Sequence, residues 1–263
     1  MSWPICVVDA FASEPFRGNP AAVCLGDPAA PDAWMQSVAA EMNLSETAFL
    51  TPRDDGGWGL RWFTPAVEVA LCGHATLAAS HFLWESGRVL AGEPIRFLTR
   101  SGWLLCRREG LEIWMDFPVC PVRPVDSPTG LADALGADLR WCGRSADDYL
   151  VELPHAAAVR HLQPDLAWLA RLPGRGVIVT AASDVAGFDF LSRFFAPAVG
   201  VPEDPVTGSA HCVLGPYWAG RLGITVLRGW QASRRGGAVR VTLAGDRVWL
   251  AGGAVTVWRG ELL

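Results

Sequence analysis

Three side chains suited to moving a proton sit where regular elements should start or stop. Glu46 lies in Asn43-Leu44-Ser45-Glu46-Thr47-Ala48-Phe49, between a helix pattern and a strand pattern. A carboxylate at such a junction is fixed in place yet open to a substrate, as a general base must be. The Asn43-x-x-Glu46 spacing also fits a helix capping box. His74 follows Gly73 at the start of an apolar helix pattern. An imidazole titrates near neutral pH and, when neutral, can polarise a carbonyl; it can equally be a satisfied histidine at a core edge. Asp204 is locked in Pro202-Glu203-Asp204-Pro205, just ahead of a second helix. It could hold a substrate amine or hydroxyl, orient a histidine, or simply be an acidic turn favoured by the helix dipole.

The helices that position these groups start alike. Gly73-His74-Ala75-Thr76 and Gly208-Ser209-Ala210-His211 each follow a loop of small residues. Free backbone N–H groups at a helix start bind carboxylate or phosphate oxygens. The plainer role for Gly73 and Gly208 is to let each helix pack close to its sheet. Cys72 and Thr207 precede the two glycines and so occupy equivalent places. A racemase working with two thiols needs cysteine at both, and a threonine hydroxyl is no base near neutral pH, so that chemistry is disfavoured. His81 could share a helix face with His74, while His211 lies inside the second helix and reads as structural. The seven cysteines form no C-x-x-C and no H-E-x-x-H occurs, so no metal site is expected.

The likeness of the two helix starts belongs to a longer internal repeat. Phe63-Thr64-Pro65-Ala66-Val67-Glu68-Val69 matches Phe195-Ala196-Pro197-Ala198-Val199-Gly200-Val201 at five of seven positions, at an offset of 132; the glycines repeat at 135. Strand patterns run over residues 6–8, 21–25, 47–50, 60–63, 95–98, 103–106 and 111–115. They recur at 149–153, 176–181, 224–227, 238–243, 248–251 and 255–258. Pro31-Asp32 opens a helix whose apolar positions Trp34, Met35, Val38, Ala39 and Met42 keep a helical period, with Asn43 as its left-handed cap. Residues 73–84 are apolar on almost every side, the mark of a helix buried within a core. Four prolines between Phe117 and Pro128 leave no regular element there and mark a linker. The expectation is an α+β fold of two pseudo-symmetric domains, 1–117 and 118–263, each a sheet rolled around one buried helix. The ligand site is expected between them, and the last strand is free to cross back to the first domain.

Composition removes whole classes of function. All 22 basic residues are arginine, so no lysine can form a Schiff base with pyridoxal phosphate or a carbonyl substrate, nor serve a phosphate-binding P-loop. A net charge of −5 gives no basic surface for nucleic acid. Met1-Ser2-Trp3-Pro4 does not read as a signal peptide, and the most apolar stretch, 62–84, is broken by Pro65, Glu68, Gly73 and His74, which makes a poor membrane span. A reduced, cytoplasmic chain is expected.

Gly18-Asn19-Pro20-Ala21-Ala22-Val23, the Asn43–Phe49 segment, Arg61-Trp62-Phe63-Thr64-Pro65, Cys72-Gly73-His74-Ala75-Thr76 and Glu203-Asp204-Pro205-Val206-Thr207-Gly208-Ser209-Ala210-His211 together resemble the PhzF-like phenazine-biosynthesis family. The motifs run in order through most of the chain. The resemblance implies the diaminopimelate-epimerase-like fold and a cofactor-free enzyme, commonly a homodimer. It implies Glu46 as the catalytic glutamate, with Ser45, Gly73, His74, Asp204, Gly208 and Ser209 on substrate-site positions. The phenazine enzyme moves a hydrogen between ring carbons of a dihydro-hydroxyanthranilate. The expected activity is a cofactor-independent isomerisation of a small cyclic amino or carboxylic acid, with Glu46, His74 and Asp204 as catalytic residues. The rivals are a one-thiol amino-acid epimerase or racemase using Cys72, and a non-catalytic metabolite-binding protein on the same fold.

Overall fold

A helix with no polar side must be surrounded, and Gly73–Glu85 is: ten of its thirteen residues are buried. Its buried hydroxyls turn back on the helix, Thr76 Oγ1 donating to the Cys72 carbonyl (2.6 Å) and Ser80 Oγ to that of Thr76 (2.9 Å). In the computed structural model, which describes residues 2–27 and 30–263, the chain divides into two units. Residue 1 of the Met1–Pro4 stretch lies outside the described residues. One unit is Met1–Asp116 with Ala251–Leu263; the other is Phe117–Leu250.

In the first unit β1 (Trp3–Ala10) pairs antiparallel with β2 (Asn19–Leu25). α1 (Asp32–Met42) then crosses over to β3 (Glu46–Pro52), which lies parallel to β2 with Ala21 opposite Glu46. β4 (Trp58–Phe63) pairs with β3 and with the short β5 (Glu68–Val69). After α2 (Gly73–Glu85), β6 (Ile95–Thr99) lies parallel to β4 and starts a meander with β7 (Gly102–Glu109) and β8 (Glu112–Pro118). α2 packs on β1, β2 and β3. Met35, Val38 and Ala39 of α1 cover a second cluster with Ile5, Ala22, Phe49 and Phe63.

The second unit repeats the plan. β9 (Arg123–Pro124) is followed by α3 (Leu131–Leu135), and then pairs with β10 (Trp141–Arg144), which pairs with β11 (Asp148–Glu152). α4 (Ala156–His161) and α5 (Leu166–Leu169) form the crossover to β12 (Gly176–Ala182), parallel to β11. β13 (Phe190–Ala196) pairs with β12 and with β14 (Val201–Asp204). After α6 (Gly208–Leu222), β15 (Val226–Gln231) lies parallel to β13 and pairs with β16 (Gly237–Ala244). β17 (Arg247–Gly252) and β18 (Ala254–Leu262) end the chain. α6 is the second central helix: Trp218 stacks on Phe190 of β13 and donates to Thr180 of β12 (2.9 Å). It tolerates Pro216 because the Cys212 carbonyl, deprived of its helical partner, accepts from the Cys120 N–H (3.2 Å).

The repeat extends to side chains. Arg61 grips Glu68 with two hydrogen bonds (2.8 and 2.9 Å) and lies over Phe63. Arg193 grips Glu203 likewise (2.6 and 2.9 Å) and lies over Phe195.

The last strand, left free to cross back from the domain read as 118–263, does so: β18 pairs along the whole of β1, from Trp3↔Leu262 to Ala10↔Ala254, and 251–263 belong to the first unit. One expectation is corrected. The proline-rich stretch does hold an element, since β9 lies along β10 with Pro124 opposite Gly143. A proline fits an edge position that donates nothing to the ladder. No helix among the described residues is long and apolar enough to cross a membrane.

Candidate functional site

In the first unit the β2–α1–β3 crossover and the start of α2 converge. Asn43 ends α1 in the left-handed region (φ 50°), donating its N–H to Ala39, and Glu46 opens β3; the pair forms no capping box. Gly18 (φ 63°) turns the chain so that β2 starts at Asn19, fully buried. Cys72, extended at φ −146°, ends the loop, and α2 begins at Gly73.

Four of the expected residues are brought together here: Ser45, Glu46, Gly73 and His74. The His74 side chain is 5% exposed and that of Glu46 18%. His74 Nε2 lies 3.2 Å from Glu46 Oε2 and 3.3 Å from Ser45 Oγ. On the other ring edge, Nδ1 lies 3.2 Å from Asn19 Nδ2 and 3.5 Å from Cys72 Sγ. The network selects the tautomer. Ser45 Oγ donates to Asn19 Oδ1 (3.3 Å), which turns the Asn19 amide N–H toward Nδ1. Nδ1 therefore carries the lone pair, and Nε2–H is directed at Ser45 Oγ, with Glu46 Oε2 beside it in electrostatic contact only. Burial pushes the His74 pKa down to about 3. The carboxylate pulls the other way, yet a second ring proton would meet the Asn19 N–H head-on, so the neutral imidazole is the state that this network holds.

In the second unit Asp204, Gly208 and Ser209 gather at the start of α6. Thr207 caps the helix in extended conformation (φ −116°), as Cys72 does for α2, and donates its hydroxyl to Asp204 Oδ2 (2.5 Å). Gln231 accepts from the Thr207 N–H (2.9 Å) and donates to the Asp204 carbonyl (2.7 Å). Ser209 Oγ accepts from Arg175 Nη2 (3.0 Å). Arg175 is clamped by the buried carboxylate of Asp148 and lies over Phe194. Burial holds the Asp148 pKa above the usual carboxylate value despite that guanidinium. His211 Nδ1 donates to the Thr207 carbonyl (2.8 Å), the place that Thr76 takes on α2. His81 lies apart from His74, bonded to Thr256 (3.1 Å) and Glu85 (3.3 Å).

Sequence reasoning missed Asn19, Arg175, Asp148 and Gln231. Asn19 stood within the Gly18–Val23 motif, where nothing local pairs it with a histidine 55 residues on. The other three carry no local signal, because their partners lie 24 to 34 residues away. It also expected no metal site, yet Glu46, Cys72 and His74 offer one donor atom each, all within 4.8 Å of one another.

The family model described as phenazine biosynthesis-like protein (PhzC-PhzF) matches residues 8–260. An uncharacterized isomerase of Halalkalibacterium halodurans is 51% identical, covering 100% of this chain and 99% of its own. The human phenazine biosynthesis-like domain-containing protein is 40% identical over equally full lengths. The crystal structure of a PhzF-family protein of Enterococcus faecalis superposes with a TM-score of 0.95 at 40% identity, covering both chains completely. A hydroxyproline epimerase of Agrobacterium vitis, 10% identical with a TM-score of 0.64, shares the fold alone. By motif, architecture and similarity over its full length, the chain belongs to the phenazine biosynthesis-like, PhzC-PhzF family.

Proposed function

We propose that this isomerase-type enzyme moves a proton between two carbons of a small cyclic amino or carboxylic acid, with Glu46 as the single proton carrier. The observation that carries the reading is the partly exposed Glu46 carboxylate set 3.2 Å from a buried, neutral imidazole at the start of α2. Glu46 takes the proton from one carbon, becomes the neutral acid, exchanges its acid proton with solvent through its exposed edge, and protonates another carbon; the product is an isomer and nothing is consumed. His74 sets Nε2–H on Ser45 Oγ and places its polar ring edge 3.2 Å from the carboxylate. Free N–H groups at the α2 start suit the substrate carboxylate. Asp204 and Ser209 hold amine or hydroxyl groups of the substrate, the roles that the family motif implies. No lysine exists to form a Schiff base, so the carbanion is stabilised by hydrogen bonds rather than by an imine.

The test is proton NMR in D₂O with a dihydro-hydroxyanthranilate and a panel of small cyclic and amino acids. Wild type should place deuterium at one carbon of a ligand. Glu46→Gln should slow this by about 10²-fold or more, as loss of a general acid/base does. Exchange that survives in Glu46→Gln refutes the assignment, and binding without exchange favours a metabolite-binding protein.

A second reading, a one-thiol epimerase, is favoured by Cys72 Sγ at 3.5 Å from His74 Nδ1. Cys72→Ala should abolish turnover by that enzyme and largely spare the glutamate-driven one. A two-thiol mechanism has no second thiol, since Thr207 stands at the equivalent place with its hydroxyl bonded to Asp204.

A further inference from the structure

We propose that Glu46, Cys72 and one ring nitrogen of His74 form a site for a thiophilic divalent cation such as Zn²⁺, and that an ion bound there takes the Glu46 carboxylate out of proton transfer. The second half rests on the reading of Glu46 as proton carrier; the first does not.

The donor set is the argument. A thiol, an imidazole and a carboxylate are the ligands that Zn²⁺ prefers over Mg²⁺ or Ca²⁺, which take oxygen. The three come from two places in the chain, the start of β3 and the start of α2, and only folding joins them. Tetrahedral zinc, with bonds of about 2.0–2.3 Å, sets its ligand atoms about 3.3–3.6 Å apart. Glu46 Oε2 is already 3.2 Å from one nitrogen of His74, and Cys72 Sγ is 3.5 Å from the other. A single ion uses one nitrogen, and with one donor from each residue no separation exceeds 4.8 Å. Closing that gap takes a movement of about 1 Å, within reach of a χ rotation of Glu46, the least buried of the three. The imidazole is already neutral, as a ligand must be. On binding, the Cys72 thiol gives its proton to solvent and becomes thiolate. The metal takes Nδ1, the nitrogen with the lone pair, in place of the Asn19 N–H, and Nε2–H keeps Ser45 Oγ as its partner, which fixes the ring as an outer shell does in zinc proteins. Three protein ligands leave a fourth position for water, and the ion neutralises and immobilises the carboxylate that would otherwise accept a proton.

The experiment titrates metal-free protein with Co²⁺, a spectroscopic stand-in, and then with Zn²⁺. The expected result is a near-ultraviolet thiolate-to-cobalt band that saturates at one ion per chain and is displaced by Zn²⁺. The band should vanish in Cys72→Ser, persist in Cys120→Ser, and need about ten-fold more Co²⁺ in Ser45→Ala, whose loss frees the ring. In the deuterium-exchange assay, stoichiometric Zn²⁺ should stop exchange and EDTA should restore it. No band, or a band unchanged in Cys72→Ser or in Ser45→Ala, overturns the site. Undiminished exchange with the ion bound overturns the inhibition and leaves the site. If metal-free protein exchanges nothing, the proton-carrier reading fails, and the cobalt band still decides the site because it needs no substrate.

Discussion

His211 should make the protein acid-sensitive in a way that one substitution removes. The side chain is fully buried on α6, its Nδ1–H spent on the Thr207 carbonyl and its ring against Phe190. Among the described residues Nε2 meets no hydrogen-bond partner, and it faces Gly229, where a Cβ would lie 3.1 Å from it. Burial pushes the pKa from 6.5 down to about 4, against a weak upward pull from the Thr207 carbonyl. The folded state thus binds fewer protons than the unfolded chain between these values. Stability is complete above pH 6.5 and falls as pH drops toward 4. At about 1.4 kcal/mol per pH unit, the loss is about 2 kcal/mol at pH 5 and about 3 kcal/mol once the folded-state pKa is passed. His211→Leu removes the titration and loses one hydrogen bond, about 1 kcal/mol. The variant should be the less stable protein at pH 7.5, cross the wild type near pH 6, and be the more stable by about 1 kcal/mol at pH 5. Urea unfolding at a series of pH values, followed by tryptophan fluorescence, measures the difference between the two proteins, in which all other titrations cancel. A difference that stays constant from pH 7.5 to 5 refutes the reasoning: it would mean that Nε2 finds an acceptor when protonated.

Three further outcomes test the two helix starts. Asn19→Asp replaces the amide donor at Nδ1 with a carboxylate, so the ring proton should move to Nδ1 and the His74 pKa should rise from about 3, both read by nitrogen chemical shifts of the imidazole. Asp148→Ala strands Arg175 and should cost about 3 kcal/mol, the low end for a broken buried pair because the guanidinium reaches solvent; a stability loss below 1 kcal/mol would argue against the clamp. Gly18→Ala puts a Cβ 2.1 Å from the Ala10 carbonyl oxygen at φ +63° and should destabilise by about 3 kcal/mol, with Asn19 displaced from His74 and deuterium exchange reduced along with stability.

What could be read before folding was whatever short-range physics controls. The helical period and left-handed Asn43 mark α1, and the all-apolar Gly73–Glu85 segment marks a core helix. Recurrence of Pro-Ala-Val ahead of a glycine helix start marks the duplication. Each needs only neighbours within about one turn or one strand. Glu46 and His74 were legible for the same reason, as residues at the ends of elements whose ends can be located, whereas Ser45 was reached only through the family resemblance.

Chain-distant pairing decided the rest. Nothing in residues 251–263 says that their partner is β1, more than 240 residues away, because a strand's alternation specifies a face and not a neighbour. Nor does a local pattern show that Asn19 sets the tautomer of His74, that Asp148 and Arg175 hold Ser209, or that Cys72 joins Glu46 and His74 in one donor cluster. Side-chain types and element ends are written along the chain. Which polar groups satisfy one another, and so which proton sits on which nitrogen, exists only once burial has removed water as the alternative partner.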